Sequence, residues 1–437
     1  MKSENIWGRA MKGSVQTKLS LVIMGLGQLL YGQYVKGMLY LLALALTITY
    51  MAACGIKDIQ GFFTLGTVEG DPWLGIVGDD SVMMMLKGIF AFIVLTVFFF
   101  LHASNVRDVV ETQRQKESGV RLCSFPEAVR RYADKKFYIL ALAFPVLGVL
   151  IFNILPIVFM ILIAFTNYGG DIIPPRLVDW VGVENFRKIL ALGELRDTFF
   201  KILGWNLVWA FAATVTNYFG GLLLALLMNK KCVRGKAIWR AFPILAYALP
   251  GFITLLAFKF MFSYGGPINY YITRSGMEAI GFLDIDAGIK AKIIGLLINA
   301  WISIPSSMLL ATGILSNMNA DLYEAASIDG ASKWIQFVKI TLPFVIFSTT
   351  PVLITSFVGN FNNFGIFYFL RGGLYCDGYF LASDTDLLIN WLYNLSIDNN
   401  YYGIGAAISL IIFVITSVFS LSVYVRSAAY RKEDTFR

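Results

Sequence analysis

Residues 324–343 read EAASIDGASKWIQFVKITLP, a short polar stretch between two long apolar ones, and this placement governs how the rest of the chain is read. The flanking segments 293–315 and 344–369 are each long enough to cross a bilayer, for which about 20 apolar helical residues suffice. The polar stretch must therefore emerge at one membrane face. Its own pattern predicts helix, turn, helix: Asp321 is placed to cap the first helix, Gly330 to break it, Lys339 to lie near the end of the second, and Pro343 to stop it. Ala325, Ala326 and Ala331 are small enough to let another protein approach closely, and Trp334 and Phe337 are placed to pack back on the bundle. These features predict a docking surface.

Outward from this loop, the composition points the same way. Of 437 residues, 57% are hydrophobic and only 15% charged, which excludes an ordinary soluble domain. Apolar stretches near 37–53, 83–101, 137–165, 201–228, 238–262, 291–317, 344–369 and 403–425 predict eight spans. A ninth, 19–30, is shorter and is broken by Gly25 and Gly27, so it reads as a re-entrant or interfacial helix. The expected architecture is an all-α integral membrane protein, a polytopic bundle of about eight transmembrane helices. It divides into an N-terminal segment 1–102 with two spans, a charged connector 103–136 with Pro126 near the start of a second surface helix, and a six-helix core 137–437 that carries the polar loop 319–343. The early apolar segment lacks a small-residue cleavage site, so the first span is expected to be its own insertion signal.

The formal charge of +8 does not point to nucleic acid, because most of the 36 Lys and Arg lie in alternate loops. They cluster in 1–36, 103–136, 229–236, the loop after Leu315 and the tail from Arg426. The other set of loops is acidic, with Asp58, Glu69, Asp71, Asp79 and Asp80 in one and Asp377, Asp384, Asp386 and Asp398 in another. Positive charge favours the cytoplasmic side, so both termini and the polar loop are expected there. The four cysteines, Cys54, Cys123, Cys232 and Cys376, have no metal-like spacing, and neither a disulfide nor a metal is expected.

Proton- or sodium-driven transport, and most intramembrane catalysis, need ionisable side chains inside the bilayer. The six C-terminal span cores hold no Asp, Glu or His, and Lys259 and Lys292 lie near span ends where snorkelling suffices. The single histidine, His102, sits at the end of the second span, without the nucleophile or acid that would make it a catalytic base. No GxxxxGK[ST] phosphate loop occurs. A membrane enzyme is thereby disfavoured, as is a self-powered pump, and any energy must enter from a partner.

The spacing Glu324-Ala325-Ala326, Gly330, Ile340, Leu342-Pro343 resembles the EAA signature of permease subunits of bacterial ATP-binding-cassette importers. From about Phe137 onward the chain is similar to the larger permease subunits of maltose/maltodextrin systems in that family. The likeness is carried by FPILAYALPGFITLLAFKF, INAWISIPSSMLLATGIL and ITSFVGNFNNFGIFYF. It implies a type I importer permease fold and alternating access for a maltodextrin-like oligosaccharide. It also implies a heterodimer with a second permease subunit, an ATPase dimer that binds ATP and Mg2+, and an extracellular solute-binding protein. No cofactor is implied for this chain. Coupling to the ATPase would fall to Glu324, Ala325, Ala326, Asp329, Gly330, Ile340, Leu342 and Pro343. The sugar would meet Tyr247, Gly251, Asn299, Ile302, Ser303, Ser306, Gly359, Asn360 and Asn363.

Neutral amides and hydroxyls suit an uncharged sugar, because they exchange hydrogen bonds with its hydroxyls without placing a charge in a low-dielectric site. The bland alternative is that they hold neighbouring helices together. Gly359 and Ser306 stand where the maltose subunits carry aromatics, which implies a wider pocket. The short outer loop 167–200 leaves loops 264–290 and 371–402 to meet a binding protein. Within the same class, a polyol, a sugar phosphate or an acidic oligosaccharide remains an alternative cargo; a channel remains one from another class.

Overall fold

The computed structural model describes residues 6–71, 73–122, 127, 130, 134, 137–174, 176–191, 193–230 and 233–426. Pro126, Cys123 and Cys232 lie outside the described residues, as does the tail beyond Arg426. Among the described residues the fold is helical throughout, apart from three isolated β-bridges in loops. Eight helical runs are long and apolar enough to cross a membrane: Tyr34–Thr64, Ser81–Glu117, Phe144–Ile163, Gly193–Asn229, Gly251–Arg274, Gly288–Ser316, Lys333–Arg371 and Tyr402–Arg426. The chain divides into two compact units, Met1–Val181 and Gly182–Arg437.

In the first unit, α1 (Ile6–Lys12), α2 (Val15–Val22) and α3 (Leu26–Leu30) precede α4 (Tyr34–Tyr50). A π turn joins α4 to α5 (Ile56–Thr64), and α6 (Ser81–Glu117) follows. The stretch expected to be one interfacial helix is two short ones, α2 and α3, folded against α6. Asn105 of α6 makes that fold possible. Its Oδ1 accepts from the Ser20 hydroxyl at 3.3 Å and from the Gly25 amide at 3.1 Å, while its Nδ2 donates to the Ser20 carbonyl at 3.0 Å. Both halves of this buried amide are thereby bonded, as most buried polar groups are. The unit ends with α7 (Phe137–Val149) and α8 (Leu155–Ile163), joined through a π turn.

The second unit opens with α9 (Glu184–Ala191) and is built on α10 (Gly193–Asn229). Next come α11 (Lys236–Ala248), α12 (Gly251–Phe262), α13 (Pro267–Arg274) and α14 (Gly288–Ser316). Helices α15 (Ala320–Ile328) and α16 (Lys333–Gln336) form the polar loop, followed by α17 (Leu342–Phe361) and α18 (Gly365–Arg371). The short α19 (Leu388–Tyr393) and the final α20 (Tyr402–Arg426) close the unit.

Helices α10 and α14 are its central pair. Ala213, Asn217, Gly221 and Ala225 recur every fourth residue along α10 and all are buried, forming one stripe. A Cβ on Gly221 would overlap the Ser307 side chain and the Met308 amide of α14, so small residues set how closely the two backbones approach. Two apolar clusters flank this crossing. One gathers Trp209, Leu255, Ile294, Ile298, Phe367 and Leu387; the other gathers Tyr218, Leu222, Met308 and Val345.

Two expected spans are broken. The stretch 238–262 is not one helix, because Leu249 is extended (ψ 139°) ahead of Pro250, which supplies no amide hydrogen. The span at this place is Gly251–Arg274. The stretch 344–369 breaks at Asn362, and α18 starts after it as a separate helix.

At the end of the unit opposite the polar loop, the Arg371 side chain is fully buried. It donates to the carbonyls of Leu283, Asp284 and Ile285, to the Thr385 hydroxyl at 3.0 Å and to the Asp384 carboxylate at 2.7 Å. A buried guanidinium is stable only with its donors used in this way. Asp384 and Thr385 of segment 372–401 are thereby tied through Arg371 to the turn 283–285 just ahead of α14.

Candidate functional site

Helices α10, α14 and α17 line a half-open cavity of about 220 Å3 in the second unit. Its walls are Thr214, Asn217 and Tyr218 from α10, Ser303, Ser306, Ser307 and Leu310 from α14, and Val352, Leu353, Ser356, Gly359 and Asn360 from α17. The lining contains no carboxylate, amine, guanidinium or imidazole. A larger groove of about 540 Å3 lies beside it, walled by Phe211, Val215, Ile346, Phe357 and Phe419. Size alone would favour that groove, but its wall is mostly apolar, with Thr214, Thr350 and Arg426 its polar members, and the smaller cavity gathers more polar groups.

Several cavity side chains are fixed by bonds between helices. Asn360 Nδ2 donates to Thr214 Oγ1 at 3.0 Å, and the Asn360 carbonyl accepts from Trp209 Nε1 at 3.1 Å. The Tyr218 and Thr349 hydroxyls are 2.7 Å apart. Ser306 Oγ turns back to the Ser303 carbonyl at 2.8 Å. At Gly359 nothing lies within 4 Å of where a Cβ would stand, so any larger residue would project into free space at the cavity wall.

Four of the nine residues expected to meet the sugar, Ser303, Ser306, Gly359 and Asn360, share this cavity. Asn299 and Asn363 lie outside its lining and face each other instead, with Asn363 Nδ2 donating to Asn299 Oδ1 at 3.3 Å. Asn363 Oδ1 also accepts from the Ile366 amide at the start of α18. Ile302 packs against the apolar cluster around Trp209. Tyr247 and Gly251 flank the Pro250 break on an exposed surface; Tyr247 is 56% exposed, and neither lines the cavity. The wall that α10 supplies, and Ser307 and Ser356, were not expected. Ser356 could have been found, since residues 352, 356, 359 and 360 share a helix face by spacing alone.

The polar loop is helix, turn, helix, with three differences from its expected form. Asn319, not Asp321, caps α15, its Oδ1 accepting from the Asp321 amide at 3.0 Å. Asp321 sits in the first turn, where a negative charge suits the helix dipole. Pro343 does not stop the second helix. A π turn over Phe337–Thr341 carries α16 into α17, and Pro343 lies in the first turn of α17, where its missing amide hydrogen is tolerated. Trp334 is 71% exposed and does not pack back, whereas Phe337 does, against the Tyr218 cluster.

Gly330 has φ +76°. Its amide donates to the Ser327 carbonyl at 3.2 Å, and the Ala331 amide donates to the Ala326 carbonyl at 2.9 Å. This is the Schellman arrangement, which needs a left-handed residue where Gly330 stands. Gln336 Nε2 straps the two helices by donating to Ser327 Oγ at 2.9 Å and the Ala331 carbonyl at 3.1 Å. Glu324, Ala325, Asp329 and Pro343 are exposed, while Ala326, Ile340 and Leu342 are half-buried. Ile328 is 86% exposed at the tip of α15.

Residues 218–432 match the family model described as the inner membrane component of binding-protein-dependent transport systems. The chain is 33% identical over 424 residues to the maltodextrin transport system permease protein MdxF of Bacillus subtilis, covering 94% of this chain and 95% of that one. It is also 33% identical, over 419 residues, to the galactooligosaccharides transport system permease protein GanP of the same organism, covering 94% and 97%. Among solved structures, a chain of a bacterial ABC transporter involved in importing the acidic polysaccharide alginate superposes with a TM-score of 0.56 at 19% identity. That match covers 68% of this chain and 97% of the other, and the two share the fold.

Proposed function

The chain belongs to the inner membrane components of binding-protein-dependent ABC transport systems, a transport subunit and not an enzyme, and on that premise we propose that it carries a neutral, maltodextrin-like oligosaccharide through the cavity between α10, α14 and α17. The observation that carries this reading is the lining itself: hydroxyls and amides with no ionisable group other than the Tyr218 phenol. Such a wall recognises sugar hydroxyls, offers an anion no countercharge, and costs less to bury than charged groups. The named cargo of the MdxF and GanP relatives supports it. A sugar phosphate or acidic oligosaccharide is disfavoured by the same lining.

The wider assembly follows from the same premise. The chain lies in the bacterial cytoplasmic membrane among lipid, paired with a second permease subunit that completes the path. Both termini and α15 face the cytoplasm, where a dimeric ATPase that binds ATP and Mg2+ seats on 319–343 and drives alternating access. Glu324, Ala325, Ala326, Asp329, Gly330, Ile340, Leu342 and Pro343 form or shape that seat. A solute-binding protein delivers sugar on the opposite side, where Tyr264, Tyr270 and Tyr271 are exposed. Tyr247, Gly251, Asn299, Ile302 and Asn363 act around the cavity: the first two on the exposed wall that a partner subunit would face, the others by bonding and packing among the helices that form it.

The test is ATP-dependent uptake into vesicles holding the complete transporter and its binding protein. Neutral maltodextrins should be taken up, while alginate oligosaccharides, a polyol and a sugar phosphate should not. Preferential uptake of an acidic or phosphorylated substrate overturns the reading of the cargo. Flux without ATP overturns the coupling.

A further inference from the structure

Every fixed polar group on the α10 wall of the cavity has a partner except one. Thr214 is bonded to Asn360 and Tyr218 to Thr349. Asn217 lies between them, is only 7% exposed, lines the cavity, and its Oδ1 has no hydrogen-bond partner among the described residues. It also interrupts the small-residue stripe Ala213–Asn217–Gly221–Ala225 that packs α10 on α14. If packing alone set this position, another small apolar residue would serve, and a buried amide oxygen left unbonded is destabilising. Holding helices together is therefore not what Asn217 does.

We infer that Asn217 is a specificity-determining residue of the transport cavity: its Oδ1 accepts a hydrogen bond from one hydroxyl of the passing sugar. The inference rests on the proposed sugar path and goes beyond it by naming the contact on α10. The oxygen is enclosed in this conformation but bonded to nothing, so turning the amide about its terminal bond brings it to the cavity without breaking an internal bond, and there it accepts from a hydroxyl donor. The half-open cavity of about 220 Å3 is below the roughly 300–1,000 Å3 of sites that enclose drug-sized ligands, so it has room for about one sugar ring and not for a whole oligosaccharide. Ser307 and Ser356 bring further hydroxyls to the same ring from α14 and α17. A deoxy sugar that lacks the hydroxyl facing Asn217 would leave the oxygen unbonded, and discrimination by an unpaired buried polar group is strong.

The test pairs Asn217→Leu with a series of monodeoxy maltooligosaccharides in the complete reconstituted transporter. For the natural sugar, Asn217→Leu should lower uptake efficiency about tenfold, equivalent to about 1.4 kcal/mol. Wild type should lose a similar factor for one particular deoxy analogue, and Asn217→Leu should lose nothing further with that analogue. Independent, multiplying losses for every analogue overturn the inference, as does unchanged uptake in Asn217→Leu. Gly359→Trp is the control for the path itself, because it fills the cavity from the opposite wall. If Gly359→Trp blocks uptake while Asn217→Leu shows no coupling, only the role of Asn217 fails. If Gly359→Trp transports normally, the sugar path fails as well. Sedimentation of the assembled complex checks that each variant folds.

Discussion

The cavity and the polar loop invert each other. In the cavity, amides and hydroxyls are buried within an apolar bundle; in the loop, Ile328, Trp334, Leu322 and Ile335 are exposed on a polar surface. Each breaks the ordinary rule of burial, and each does so on a rigid frame. The cavity wall is held by the Asn360–Thr214 and Tyr218–Thr349 bonds, the loop by the Gln336 strap and the Gly330 turn. Under the proposed function, a small polar molecule completes the first and an apolar protein surface the second.

The largest expected effect falls on the loop. In Gly330→Val a β-branched residue is forced to a positive φ, which costs roughly 1–2 kcal/mol locally and misdirects α16. The protein should still insert and assemble, but uptake and sugar-stimulated ATP hydrolysis should fall about 100-fold or more. Gly330→Asn, which tolerates the left-handed region, should retain most of both. Equal activity in the two variants would show that the turn geometry is not what couples the loop.

An intermediate effect is expected in the cavity. Asn360→Ala removes one wall group and frees Thr214, and should reduce uptake efficiency about tenfold while basal ATP hydrolysis stays unchanged. A fall in basal hydrolysis of similar size would mean that Asn360 acts mainly as a tie between helices.

The smallest effect separates both regions from a third polar site that needs no outside partner. Asp386 is buried, and accepts from the Ser383 amide at 2.9 Å, Ser383 Oγ at 3.0 Å and Asn394 Nδ2 at 3.0 Å. Burial outweighs these bonds and pushes its carboxyl up to about 6. A carboxyl raised on folding stabilises the protein in its protonated form, so that stability is present below the ordinary carboxylate range and is lost as pH rises through about 6. Thermal unfolding of the wild type minus Asp386→Asn should therefore show wild type relatively more stable at pH 4.5 than at pH 7.5, by a few degrees. A difference of the opposite sign would mean that the ionised form is favoured.

Much of this was legible before the fold. The turn at Gly330 follows from local backbone chemistry, and the eight spans from run length. The Pro250 break was equally visible in the dipeptide Leu249-Pro250, yet the apolar run around it masked it. Asn299 and Asn363 carry the right chemistry for a sugar, but they are turned to each other outside the cavity lining. No sequence signal distinguishes Asn363 from Asn360 in this respect.

The amino-acid sequence by itself determined that the chain crosses the membrane eight times, that its core spans hold no carboxylate or imidazole, and that a helical loop projects between two spans. Each of these depends on composition or on turn chemistry within a few residues. Only the tertiary structure decided that Thr214, Asn217 and Tyr218 face Ser303, Ser306 and Asn360 across one cavity, and that Tyr247 does not. The reason lies in the solvent. In water a helix shows its buried face as its apolar face, but a span in lipid is apolar on every side, so its rotation is fixed by close packing such as that of Gly221 against Ser307 and is not written in its own pattern.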